Sequence, residues 1–444
     1  MADPPLCKER AKGPLTAAQE DHSNPRTAAS VCPVPTPYVA RTADRILAEM
    51  IEDHPAVLVT GPRATGKTTT ATRQARSSVQ LADERQAVAF RANPYVGLAT
   101  RAEPVLIDEW QVVPETLAAV KRLVDTDPRR GRFVVTGSVR GDIDSPTWPG
   151  TGRLVRLQMY GLTEREIERN IERPSWLENV LAGNVPETNS TLELDAYVDR
   201  ALRSGFPEPA LELAPRARQR WLASYVDQLV TRDATAIDDG RDPVRLRRYL
   251  QAVALNSAGI VDDVTLYQSS QINKDTARAY DHLLQDLLVI EKVPAWTSNR
   301  LKRLVLAPKR YLIDAGLFSG VLGVGLDDVL RDGDLLGRLI DTFVVAQIRA
   351  ELALLTPAPR LHHLRTAQGR HEIDLVIEVG ARRLVAIEIK STSAPKREDA
   401  RHLCWLRAEL GPAVIAAVLL HTGPYTFPLD EGVLACPISA LWSY

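Results

Sequence analysis

The chain has 444 residues, enough for two or three domains each with its own core. Hydrophobic content of 45% and charged content of 25% are ordinary globular values, and a net charge of −1 excludes a uniformly basic nucleic-acid binder while leaving room for a local basic face. Cys7, Cys32, Cys404 and Cys436 are scattered without disulfide-framework or zinc spacing, which points to a reducing cytoplasm.

Residues 1–37 hold seven prolines and few large apolar groups, so they cannot bury enough surface to offset the entropy of ordering. They are expected to be a disordered tail, and they lack the apolar core of a secretory signal. From Tyr38 the spacing of Ile46, Leu47, Met50 and Ile51 predicts a helix that Pro55 stops. The stretch AVLVTGPRATGKTTTATRQA (56–75) then runs from a short buried strand through a glycine loop into a helix. Gly61, Gly66, Lys67 and Thr68 satisfy G-x-x-x-x-G-K-[ST], a loop whose inward N–H groups and helix start cradle a polyphosphate. Gly61, Pro62, Arg63, Ala64, Thr65, Gly66, Lys67, Thr68 and Thr69 are the expected nucleotide-binding residues, with Lys67 on the β- and γ-phosphates and the Thr68 hydroxyl on magnesium. A glycine turn that merely caps a helix is the bland alternative; the coincidence of strand, loop, Lys-Thr pair and helix argues against it.

VQLAD (79–83) reads as a second strand ending in an acid, and PVLIDEWQ (104–111) as a third. The apolar run Val105 to Ile107 delivers Asp108 and Glu109 to the strand's C-terminal end, where ligands sit in open α/β sheets. Asp108 is expected to serve magnesium, and Glu109 to orient or deprotonate the attacking water. A fourth strand, RFVVTGS (132–138), brings Thr136 and Ser138 to the same end, either to sense the γ-phosphate or water or simply to cap a turn. Strands alternating with helices over 38–165 predict a parallel doubly wound P-loop sheet.

GPRATGKT, LIDEWQ, VVTGS and GRLVRLQMYGLTEREIE, in that order, resemble the ATPase half of a bacterial and archaeal AAA-type family of ATP-binding proteins. The resemblance implies bound ATP and Mg2+, and hydrolysis at subunit interfaces of a homo-oligomer. The family's serine-leucine-alanine stretch is replaced by PGTG before Arg153, so Arg153 is either a charge-stabilising arginine at the nucleotide or a surface residue. SGFPEPAL (204–211) and YVDQLVTRDA (225–234) are similar to signatures of the C-terminal region that accompanies this ATPase. Residues 166–240 read as a helical connector, with Leu222, Tyr225, Val226 and Leu229 on one face.

Residues 241–325 read as helix, short helix, helix and strand, a winged-helix-like order in which Asn273 is the N-cap and Tyr280, Leu283, Leu284 and Leu287 form the apolar stripe. Lys274 and Arg278 would face a DNA groove, but Asp275, Asp281 and Asp286 share their helix and oppose that role. In 326–444 the strongest signal is GRHEIDLVIEVGARRLVAIEIKST, two period-two runs around a turn. With the turn centred near Ala381, Asp374 lies opposite Glu388 with Lys390 beside them, and the apolar residues of both strands take the other face. Facing carboxylates beside a lysine suit a magnesium site, and an exposed hairpin with a salt bridge is the plain alternative. The hairpin resembles the PD-(D/E)xK restriction-endonuclease-like fold, whose third acid would fall at Asp341 in GRLIDTFVVAQIRAEL, one methylene shorter than the family's usual Glu. His362, His363 and His371 read as loop histidines without assigned chemistry.

The sequence thus predicts an α/β protein: a P-loop sheet, a winged-helix-like segment and a nuclease-like domain, with no membrane span. Its expected function is ATP hydrolysis controlling a nuclease-like module that acts on DNA or RNA through the C-terminal half. The alternative is a nucleotide-gated docking switch whose C-terminal domain binds protein or DNA without cutting.

Overall fold

The computed structural model describes residues 38–137, 151–233, 242–298, 306–353, 355, 357–366, 369–380 and 383–443. Ser138 lies outside them. From Tyr38 onward the chain packs as one unit.

Pro55 follows α1 (Thr42–Asp53), and the five buried residues of β1 (Ala56–Thr60) come next. Helix α2 (Lys67–Gln74) leaves the glycine loop; β2 (Ser77–Gln80), α3 (Glu84–Ala92), α4 (Pro94–Ala99), β3 (Val105–Asp108), α5 (Glu115–Thr126), β4 (Phe133–Gly137) and β5 (Val155–Gln158) complete the layer. The five strands are parallel in the order β2-β3-β4-β1-β5. Alternate strand residues serve opposite faces, as a parallel sheet covered on both sides requires. Leu58, Ile107, Phe133 and Val135 pack with Phe90, Leu117 and Val120, while Val57, Val59, Leu106 and Val134 pack with Ile46, Leu47 and Ala71. The second strand ends at Gln80, earlier than its sequence suggests, because Asp83 serves instead as N-cap of α3, accepting from the Arg85 N–H at 3.0 Å.

Helices α6 (Glu164–Ile167), α7 (Trp176–Leu181), α8 (Leu194–Arg203), α9 (Pro207–Leu211) and α10 (Pro215–Gln228) follow. Leu222, Val226 and Leu229 are buried, so this face packs as its spacing predicts. Next come α11 (Pro243–Leu255), α12 (Asp263–Ser269), α13 (Lys274–Asp286) and an antiparallel pair, β6 (Ile290–Val293) with β7 (Lys309–Leu312). Asn273 caps α13 by accepting from the Thr276 N–H at 2.7 Å. Three helices lead on: α14 (Leu317–Leu322), α15 (Leu326–Arg331) and the long α16 (Gly333–Leu352).

The second sheet is mixed, built from β8 (Arg360–Arg365), β9 (Glu372–Val379), β10 (Arg383–Ile389), β11 (Val414–His421), β12 (Phe427–Asp430) and β13 (Val433–Pro437), with α17 (Arg401–Leu410) and α18 (Ala440–Ser443). Its strand order is β12-β13-β11-β10-β9-β8. β9 and β10 lie inside this sheet with α16 packed towards one face and α17 on the other, so both their faces are covered, which differs from the one-sided hairpin expected. Leu375, Ile377, Val385 and Ile387 join a hydrophobic cluster that runs from Trp176 through α16 to Trp442, whereas Val376, Leu384 and Ala386 pack with Leu403 and Leu406 of α17. His362 and His363 are buried residues of β8 rather than loop histidines; burial, with Lys309 nearby, pushes His363 down to about 4. No helix among the described residues is long and apolar enough to cross a membrane.

Candidate functional site

The glycine loop sits at the C-terminal ends of β1, β3 and β4. Gly61 has no room for a side chain: a Cβ there would meet the Met159 carbonyl oxygen at 2.3 Å. Gly66, at φ 87°, turns the chain into α2, a conformation that favours glycine. Lys67 is 6% exposed, and its ammonium lies back across the loop, donating to the Pro62 carbonyl at 2.7 Å. Thr65 is buried and its hydroxyl donates to the same carbonyl at 2.8 Å, whereas Arg63, Ala64 and Thr69 are exposed around the loop mouth.

Below the loop, the Thr68 hydroxyl donates to Asp108 Oδ1 at 2.8 Å. Thr136 also directs its hydroxyl at Asp108 Oδ1, so it holds this carboxylate in place. A hydroxyl and a carboxylate meeting at a helix start are the hard oxygen donors that magnesium takes, and this pair fits that ion. Glu109 follows in the left-handed region at φ 56°, costly for a residue with a side chain, and its carboxylate accepts from the Gln111 amide. Arg153 is not drawn to this cluster. It is an exposed residue paired with Asp125 of α5 at 2.7 Å, a cation on a solvated surface with its partner already beside it.

Burial pushes Lys67 down to about 8, against the pull of Glu109 and Asp108. The ammonium therefore loses its proton as pH rises through about 8, and a neutral amine holds phosphate poorly. ATP affinity of the free protein is expected to fall as pH is raised from 7 to 9, measured by nucleotide titration at constant ionic strength; constant affinity over that range would contradict this role.

Two groups from outside the glycine loop grip its backbone. Arg41, 5% exposed, donates to the Thr65 carbonyl at 3.0 Å and to the Tyr160 and Gly161 carbonyls at 2.9 and 3.1 Å, and pairs with Glu166 at 3.2 Å. Tyr225 of α10 donates to the Arg63 carbonyl at 3.3 Å. The Arg41 partners lead on to α16, where Gln347 accepts from the Glu164 N–H at 2.7 Å and Glu351 pairs with Arg165 at 3.4 Å.

A second cluster lies at the open end of the β9–β10 hairpin. The register pairs Val379 with Arg383 and Leu375 with Ile387; carried one residue further, it sets Asp374 opposite Glu388, as the sequence predicts. Lys390 donates to Glu388 Oε1 at 2.8 Å, and an open cleft of about 450 Å³ is lined by Glu372, Asp374, Glu388, Lys390 and His402. Asp341 of α16 reaches this group electrostatically: burial, then the Asp374 charge, push its carboxyl well above the usual range. Burial and Asp374 likewise push Glu388 up to about 8. Burial would raise Asp374 too, but the Lys309 ammonium holds it below the usual range.

Lys309 is the residue that sequence reasoning missed. It is 2% exposed, and its ammonium sits 2.9 Å from Asp374 Oδ1. A lysine opening the run Lys-Arg-Tyr-Leu-Ile carries no local sign that it will be buried against an acid 65 positions later. Among the described residues no group of three or more His, Cys, Asp or Glu side chains is drawn together as for a metal ion, and the positive charge beside Asp374 and Glu388 in this arrangement comes from Lys309 and Lys390.

On α13, Lys274, Arg278 and His282 are exposed, one above another at helical spacing. Asp281, one of the acids expected to oppose DNA, is instead buried between Arg310, at 3.0 Å, and Lys292.

Residues 53–168 match a family described as an AAA domain, residues 194–328 the domain of unknown function DUF8612, and residues 336–441 the domain of unknown function DUF4143. Two relatives, Uncharacterized protein Mb2031c of Mycobacterium bovis and Uncharacterized protein Rv2008c of Mycobacterium tuberculosis, are each 27% identical over 401 residues, covering 89% of this chain and 83% of theirs. Among solved structures, the Walker-type ATPase PABY2304 of Pyrococcus abyssi superposes with a TM-score of 0.37 at 16% identity, covering 65% of this chain and 96% of its own.

Proposed function

We propose, on the premise that residues 53–168 are an AAA-type ATP-binding domain, that the chain hydrolyses ATP there and uses nucleotide occupancy to set the state of a nuclease-like C-terminal module. The observation that carries the first half is the meeting of the Thr68 hydroxyl and the Asp108 carboxylate at 2.8 Å beneath the glycine loop. Lys67 would exchange the Pro62 carbonyl for phosphate oxygens. Thr68 and Asp108 would hold magnesium, which neutralises phosphate charge when bound. Glu109, next along the chain, would orient the attacking water and accept its proton, since phosphoryl transfer is mostly positioning and charge neutralisation.

The second half rests on the two grips on the loop. Nucleotide phosphates entering between Pro62 and Thr68 would meet a backbone held by Arg41 and Tyr225, and the partners of Arg41 continue into α16. The segment α11–α13 with β6 and β7 is winged-helix-like in this reading, and its exposed Lys274 and Arg278 would meet a nucleic-acid backbone. Asp374, Glu388 and Lys390 would then act on a phosphodiester, with Asp341 behind them.

A second reading is favoured by one contact: with Lys309 on Asp374, the C-terminal module is a docking surface that does not cut. Incubating the purified chain with single-stranded, duplex and branched DNA, manganese and ATP separates the two. Cleavage lost in D374N supports the nuclease, and ATP turnover without cleavage under every condition supports docking. Absence of magnesium-dependent ATP turnover would overturn both.

A further inference from the structure

We propose that Lys309 is an internal counter-cation that closes the acid cluster of Asp374 and Glu388, with Asp341 behind them, to divalent metal, so that metal binding there requires β7 to move. This rests on the nuclease-like reading of the C-terminal module and names how that module is held off.

Three of the four carboxylate oxygens of Asp374 and Glu388 already have partners. Asp374 Oδ1 is taken by the Lys309 ammonium at 2.9 Å, and Oδ2 accepts from the Ile389 N–H at 3.0 Å. Glu388 Oε1 is taken by Lys390 at 2.8 Å. A divalent ion needs carboxylate oxygens at about 2.0–2.6 Å, and the ammonium in contact with Oδ1 both takes up part of that oxygen's accepting capacity and sets a positive charge where the ion would approach. One acceptor nevertheless remains unused. Glu388 Oε2 is buried without a hydrogen-bond partner, on a side chain only 8% exposed that lines the cleft. A buried carboxylate oxygen left unpaired is costly, and coordination to a cation would satisfy it.

Lys309 belongs to neither strand of the acid-bearing hairpin. Along β7 successive side chains point to opposite faces, so Lys309 meets Asp374 from its buried side while Arg310 turns the other way, pairing with Asp281 of α13 and with Asp263 of α12. The same strand therefore carries the plug on one side and an ionic tether to α12 and α13 on the other. A shift of those helices, which display Lys274 and Arg278, would draw Lys309 off Asp374. Partner binding on one face and metal entry on the other become one event.

The test uses the full-length chain without nucleotide, so a failure of the ATPase reading does not bear on it. Wild type, D374N, K309Q and the double variant K309Q/D374N are titrated with manganese alone, and bound ion is read by electron paramagnetic resonance. Glutamine removes the charge but keeps a donor for Asp374. The expected result is one manganese bound by K309Q at least tenfold more tightly than by wild type, and that site lost in K309Q/D374N. A K309Q chain with wild-type circular dichroism and wild-type manganese affinity would overturn the proposal, as would a wild-type chain that binds manganese at a site D374N removes. If K309Q fails to fold, restoration of its fold by manganese supports the proposal, and failure to restore it counts against it.

Discussion

Replacing Lys67 with alanine is expected to raise the dissociation constant for MgATP by at least about a hundredfold, equivalent to about 3 kcal/mol, the upper range for a charge-assisted contact to phosphate. The fold should survive. In the structure the ammonium's hydrogen bond is to the Pro62 carbonyl at 2.7 Å, a group of the same loop, and burial already disfavours its charge. Truncation therefore removes a buried cation whose hydrogen bond is to its own loop, with little packing lost to the rest of the domain. Calorimetric titration with ATP, with circular dichroism on the same preparation, checks both parts. A folded K67A chain with unchanged affinity would remove the phosphate role of the glycine loop.

Glu109→Gln is expected to act on turnover and spare binding. Glutamine keeps the shape and can still bond its neighbour Gln111, but it cannot take a proton from water. General-base catalysis contributes about a hundredfold to ten-thousandfold, so steady-state hydrolysis should fall by at least about a hundredfold while the dissociation constant for ATP stays within a few-fold of wild type. The left-handed backbone at Glu109, φ 56°, is consistent with a residue held for its side chain's direction at some conformational cost. Loss of ATP binding in E109Q, with turnover per bound ATP unchanged, would place this carboxylate outside the chemistry.

How much of this was legible in advance depends on whether the controlling interaction is local. The glycine loop was, since Gly61, Gly66, Lys67 and Thr68 are constrained by backbone geometry within eight residues. The strand before it needed only an apolar run. The facing of Asp374 and Glu388 was legible too, because period-two alternation around one turn sets a register without reference to the rest of the molecule. What escaped was set by distant partners. Whether β9 and β10 have one covered face or two depends on α17, which closes the second side with Leu403 and Leu406. Asp83 reads equally well as a strand end or a helix cap, and the helix won. Asp281 looked like an acid displayed on α13, yet Arg310 and Lys292, from the strand pair that follows, draw it inside. Lys309 and Arg41 gave no signal at all, since nothing around a single basic residue tells which buried acid or carbonyl it will meet.

Through such long-range contacts, those of Arg41 and α16, ATP at the glycine loop is expected to be felt in the C-terminal half. Hydrogen–deuterium exchange of the full-length E109Q chain, with and without saturating MgATP, reads that link most directly. The account predicts altered protection in the glycine loop, in residues 160–166 and in residues 333–352 together, and loss of the last change when Arg41→Ala is added while the loop itself still responds. Protection that changes at the glycine loop alone, with residues 333–352 exchanging identically in the two states, would contradict it.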